Sequence, residues 1–177
     1  MEVSQPLGFS NTYVFDITRE TSQEYGIIKL SQLLENAPSL RLGCTTAFTQ
    51  REDLLPKLEE EYNVSFASVD GLEGNIRYQA IASGRVDVID AFETDAVLLD
   101  MDLVKVEDDI NYFPPYQAVS VTRNETLRQY PELSEVLAML EGAITTEEMM
   151  EMNYQVDVEG KTPEETAVNF LEEKGLI

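Results

Sequence analysis

Gly84-Arg85-Val86-Asp87-Val88-Ile89-Asp90-Ala91-Phe92-Glu93-Thr94-Asp95 is the stretch on which the reading of the fold turns. A helix read over 71–83 stops at Gly84, which reaches the left-handed conformation of a helix end without a steric penalty. Residues 86–91 follow as a short apolar run, the pattern of a buried strand. Phe92 closes that strand, and Thr94 or Asp95 can cap a further helix over 94–100. Helix, buried strand and helix in close succession indicate an open α/β domain, where ligands bind at the strand ends.

The neighbouring segments repeat the alternation. Tyr13–Thr18 reads as a strand by its β-branched and aromatic content. Residues 27–35 show helical spacing through Ile28, Leu30, Leu33 and Leu34, and 40–44 are a short apolar strand. An amphipathic helix over 51–62 carries Leu54, Leu55, Leu58 and Tyr62, and 64–69 return as a strand. Leu103–Val106 and 117–122 are the last strands expected. Beyond them the chain turns helical: one helix over 130–141, another after the capping box Thr145-Thr146-Glu147-Glu148, and a third after Thr162-Pro163-Glu164-Glu165. The expected fold is α/β, a mostly parallel sheet flanked by helices over 7–114, followed by a mainly helical segment over 115–177. The change of character falls near Pro114-Pro115.

Composition narrows the function classes. Among 177 residues, 34 acidic side chains face 12 basic ones, for a net charge of −22. Such a chain is repelled by nucleic-acid phosphates and by anionic lipid, so neither is an expected partner. There is no histidine and a single cysteine, which removes His-based triads, the usual zinc motifs and any intrachain disulfide. Cys44 ends an apolar run and reads as a small buried residue rather than a nucleophile. Asp87, Asp90 and Glu107-Asp108-Asp109 lack the alternating spacing of a calcium loop and are read as surface, cap and turn residues. No apolar run approaches the ~20 residues of a membrane span. Neither a metal nor a cofactor is expected, and the chain is not read as an enzyme.

What stands out instead is a set of rings and one arginine at strand and helix ends. Tyr13 follows Gly8-Phe9-Ser10-Asn11-Thr12, Arg51 follows Phe48-Thr49-Gln50, and Phe92 precedes Glu93-Thr94-Asp95. Tyr116 ends Phe113-Pro114-Pro115-Tyr116, whose two prolines hold the backbone extended and preorganise the ring. Each residue alone has an ordinary reading, a half-buried core ring or a surface arginine answering nearby acids. Together they suit a ligand with a quaternary ammonium at one end and a carboxylate at the other.

These segments, with Tyr78-x-Ala80, Gly84-Arg85-Val86-Asp87-Val88, Asp108-Asp109-x-x-x-Phe113 and Met149-x-x-x-Asn153, resemble the glycine betaine/choline/carnitine substrate-binding proteins of osmoprotectant ABC importers, in order and spacing. The resemblance implies a type II periplasmic-binding-protein-like lobe with C-terminal helices that return to the other lobe. Tyr13, Phe92 and Tyr116 would stand as rings of an aromatic cage, Arg51 as the carboxylate-binding arginine, and Asn11 and Thr94 as further ligand contacts. Phe92 departs from the family, which has tyrosine there. The family's first segment, which builds much of the other lobe, has no counterpart in this chain. Its absence would leave an apolar face open to self-association. The partners implied are a small quaternary-ammonium ligand and membrane-embedded ABC permease subunits, in an extracytoplasmic or membrane-associated location with the export signal or anchor outside this chain. Two other readings remain: an enzyme on a similar scaffold, for which no nucleophile or poised acid/base pair is visible, and an effector-sensing domain of a regulator.

Overall fold

A computed structural model describes residues 1–177. Its strands are β1 (Glu2–Val3), β2 (Tyr13–Thr18), β3 (Arg41–Cys44), β4 (Ser68–Gly71), β5 (Val88–Phe92), β6 (Leu103–Val106) and β7 (Val121–Thr122). The first five helices are α1 (Arg19–Tyr25), α2 (Leu30–Asn36), α3 (Thr46–Gln50), α4 (Leu55–Tyr62) and α5 (Ile76–Ala82). Four more follow: α6 (Asn124–Gln129), α7 (Leu133–Ala138), α8 (Thr146–Asp157) and α9 (Pro163–Glu173). The chain forms two compact units. One holds residues 13–92 and 100–114; the other holds 1–12, 93–99 and 115–177.

The first unit is a five-stranded sheet in the order β4-β3-β5-β2-β6 with α1 to α5. β3 pairs in parallel with β4 and β5, while β2 runs antiparallel to both β5 and β6. Four strands therefore share one direction and β2 alone opposes them. The sequence explains the centre: Val88, Ile89, Asp90 and Ala91 of β5, and Tyr13 through Ile17 of β2, are all buried. Such unbroken burial belongs to inner strands covered on both faces. Leu30, Leu33 and Leu34 of α2 and Leu55 and Leu58 of α4 supply helical apolar faces. Gly43 lies in β3 where a Cβ would meet Leu72 at 2.9 Å and the Val86 methyls at 3.0 and 3.1 Å.

Local differences from the expected elements have identifiable causes. The helix expected over 51–62 starts only at Leu55: Arg51 is the C-terminal cap of the preceding α3, and Pro56 stands in the first turn of α4. Proline fits that first turn because no helical partner awaits its nitrogen. The strand expected at 64–69 lies at 68–71, because pairing with β3 sets its register from Ser68 opposite Arg41. Residues 94–100 form a short 3-10 turn, Ala96–Asp100, rather than an α-helix.

In the second unit, β1 and β7 pair antiparallel, and the ribbon continues through Leu7 N–H to Ala118 O (2.9 Å) and Asn11 N–H to Tyr116 O (3.0 Å). Gly8 adopts φ 117°, and a Cβ there would sit 2.5 Å from the Ile144 carbonyl oxygen. Only glycine suits that position. Both expected capping boxes form: Thr145 with Glu148 opens α8, and Thr162 with Glu165 opens α9. The helix expected over 130–141 is α7 alone, with α6 ahead of Pro131.

Candidate functional site

In the sheet unit, the antiparallel register sets Tyr13 directly opposite Phe92. Side chains of such a pair leave the same face, and here the ring centroids are 4.6 Å apart with planes inclined at 42°. Phe48 of α3 lies 5.4 Å from the Tyr13 ring and Phe113 lies 6.1 Å from it. Tyr13 is 6% exposed and Phe92 half-buried. Phe113 is held by its turn: the Asp108 carboxylate accepts from the Tyr112 and Phe113 amides at 3.0 and 2.9 Å. Asp108 is thus the turn residue expected, and Asp109 caps α2 through the Ser31 amide and hydroxyl.

Arg51 brings its Cζ within 6.0 Å of the Tyr13 ring centre. Its guanidinium also forks onto Asp53 at 3.0 and 2.6 Å, which holds the Asp53 carboxyl below its ordinary range. An anionic ligand reaching Arg51 therefore competes with a carboxylate two residues away. Arg51 sits at the end of α3, with its own amide bonded to Ala47 O at 3.0 Å.

Asp90 corrects the reading of surface and turn acids. It is fully buried and accepts from the Thr45 amide at 3.0 Å and the Thr45 hydroxyl at 2.8 Å. The Arg77 Nε lies 3.8 Å from Asp90, and both side chains are shielded from water. Arg77 also lies over two rings, with Cζ 4.8 Å from the Tyr78 centroid and 5.9 Å from that of Phe92. Its Nη2 donates to the Tyr78 hydroxyl at 2.9 Å. Arg77 escaped the sequence reading because its partner is 13 positions away on another element and no local pattern marks it. Asp87 behaves as expected of a surface acid: it is forked by Arg41 at 2.7 and 2.9 Å, which lowers its pKa. Cys44 is buried, and that burial pushes its thiol up to about 12.

The other unit brings Asn11 and Thr94 together, the Thr94 hydroxyl donating to Asn11 Oδ1 at 2.6 Å. Asn153 of α8 donates to the Thr94 carbonyl at 3.0 Å. Tyr116 stands half-buried on the same ribbon, its amide bonded to the Ser10 hydroxyl at 3.1 Å and its carbonyl to the Asn11 amide. Thr94 is thereby committed to Asn11, not to capping a helix. No cluster of three His, Cys, Asp or Glu side chains is placed to hold a metal. No helix is long and apolar enough to cross a membrane.

Residues 1–173 match the family described as the substrate-binding domain of ABC-type glycine betaine transport systems. Over 96% of its length the chain is 38% identical to the ergothioneine transport permease/ergothioneine binding protein EgtU of Helicobacter pylori, of which it covers 31%. It is 30% identical, again over 96% of its length, to the carnitine transport binding protein OpuCC of Listeria monocytogenes, of which it covers 56%. The chain thus spans about a third to just over half of these relatives. A crystal structure of a glycine betaine/carnitine/choline ABC transporter superposes with a TM-score of 0.84 at 35% identity, covering 98% of this chain and 64% of that one. The fold is type II periplasmic-binding-protein-like, and the relatives are transport proteins, not enzymes. This chain belongs to the substrate-binding domain family of ABC-type glycine betaine transport systems.

Proposed function

We propose that this chain binds a small betaine, a molecule joining a trimethylammonium group to a carboxylate, for delivery to an ABC permease on the extracytoplasmic side of a membrane. The observation that carries the reading is the Tyr13–Phe92 ring pair with Arg51 at its side. A trimethylammonium group has no N–H to donate, so its recognition rests on ring faces and exclusion of water. Each desolvated ring contributes on the order of 0.5–2 kcal/mol. The Arg51 fork matches a carboxylate, exchanging Asp53 for the ligand.

Tyr116, Asn11 and Thr94, on the other unit, are proposed as further ligand contacts by their match to the family's segments. Phe92 keeps a ring face without a hydroxyl. Ergothioneine, carnitine and glycine betaine, named for the relatives, share the same charged ends. Choline has the cation alone and should bind more weakly. An NMR titration following Tyr and Phe ring protons tests this. Saturable shifts of Tyr13 and Phe92 with the three betaines, and weaker ones with choline, support the reading. Shifts spread over all rings, or none, count against it.

A further inference from the structure

A buried ion pair lies beside the Phe92 ring, and ligand contact alone gives it no role. Replacing a buried ion pair by apolar side chains of similar volume is often neutral or stabilising, so stability is a poor reason for one to be here. Its connections suggest another. Asp90 belongs to β5, two residues before Phe92 and on the same face of the sheet. Its carboxylate holds Thr45, whose hydroxyl caps α3 by accepting from the Phe48 amide at 3.2 Å. Phe48 is the ring that abuts Tyr13. The other side of the carboxylate faces Arg77 of α5, whose guanidinium lies over Phe92. One carboxylate therefore adjoins the three elements that carry Phe48, Phe92 and the guanidinium lying over Phe92.

We propose that Asp90 and Arg77 are positioning residues for the ligand site: the pair fixes the plane of the Phe92 ring and, with it, the Tyr13 contact, so that a rigid ring surface meets the ligand cation. This rests on the betaine-binding reading above. Phe92 is half-buried at the end of a strand, where a side chain otherwise retains freedom to turn. Arg77 supplies a planar group that donates to the Tyr78 hydroxyl at 2.9 Å and is drawn toward the Asp90 charge, 3.8 Å from its Nε. A lysine would preserve the charge but not the plane.

The test uses Arg77→Lys and the double variant Arg77→Met/Asp90→Asn, which removes both charges while keeping most of the volume. Two readouts are taken. The first is the NMR line shape of the Phe92 ring in the ligand-free chain, with Phe66 as an internal reference. The second is affinity for glycine betaine against 3,3-dimethylbutanoate, which replaces the cationic nitrogen by carbon and keeps shape and carboxylate. Both variants are expected to free the Phe92 ring while leaving Phe66 unchanged. Betaine affinity should fall about five- to twentyfold, the loss of roughly one ring's cation attraction, and dimethylbutanoate affinity by less than about twofold. Equal losses for the two ligands mean a merely structural role and overturn the proposal, as does an unchanged Phe92 line shape. If the unaltered chain binds betaine no better than dimethylbutanoate, the functional reading fails, and the ring line shape still decides whether Arg77 and Asp90 position Phe92.

Discussion

Truncating Asp90 to alanine should come close to unfolding the sheet unit. The carboxylate is fully buried and accepts two hydrogen bonds from Thr45, at 3.0 and 2.8 Å, with Arg77 at 3.8 Å. Stranding a buried donor costs about 1–3 kcal/mol. Removing one member of a buried ion pair costs about 3–5 kcal/mol, because the remaining charge keeps its desolvation penalty. The two losses overlap, so we expect about 4–6 kcal/mol, a large share of the roughly 5–15 kcal/mol that stabilises an ordinary domain. Asp90→Asn keeps one carbonyl acceptor for Thr45 but still leaves Arg77 without its counter-charge, so it should cost about 3–5 kcal/mol, somewhat less than the truncation. Urea titrations followed by far-UV circular dichroism and tyrosine fluorescence measure both, since the chain has no tryptophan. A loss below about 1 kcal/mol for Asp90→Ala, the size of an average substitution, would refute the buried, hydrogen-bonded environment described for this carboxylate.

Three further outcomes are expected. Gly43→Ala should destabilise by about 1–3 kcal/mol in the same titration, because its Cβ lands 2.9 Å from Leu72 and 3.0 Å from a stiff valine; an unchanged midpoint would contradict the packing described. Cys44 should resist iodoacetamide at pH 8 in the folded chain and react once unfolded: its thiol is raised to about 12, so the reactive thiolate is scarce anywhere below that pH. Rapid alkylation of the native chain would show that Cys44 is not enclosed. Asp53→Asn should tighten binding of carboxylate-bearing betaines about two- to fivefold by removing the competitor for Arg51, and leave choline unaffected. Equal effects on both, read by calorimetry, would detach Arg51 from the ligand carboxylate.

How far the sequence could be read varies by element. β2 and β6 emerge with the expected bounds because their β-branched and aromatic runs are short and closed by clear turns. The starts of α8 and α9 were legible from Thr145 and Thr162, whose capping partners sit three residues on. The later start of α4 was signalled by Pro56 but masked by Leu54 and Leu55 just ahead of it. β4 moved because strand register is decided by the partner strand, which local pattern does not contain. The same limit governs the site. Tyr13, Phe92 and Arg51 stand at element ends and were visible as rings and a charge, and the sheet register then brings the two rings together. Arg77 was not visible and Asp90 was misread as a surface, cap or turn acid, since a charge within a buried strand makes sense only beside its distant partner.

The most direct measurement is the calorimetric affinity of this chain for glycine betaine before and after Tyr13→Ala, with folding of the variant checked by circular dichroism. Tyr13 touches Phe92, Phe48 and Phe113 and lies beside Arg51, so no other side chain is as central to the proposed site. The account predicts saturable binding that weakens at least about tenfold in the folded variant, a loss of about 1.4 kcal/mol or more. Binding that survives Tyr13→Ala unchanged would contradict it.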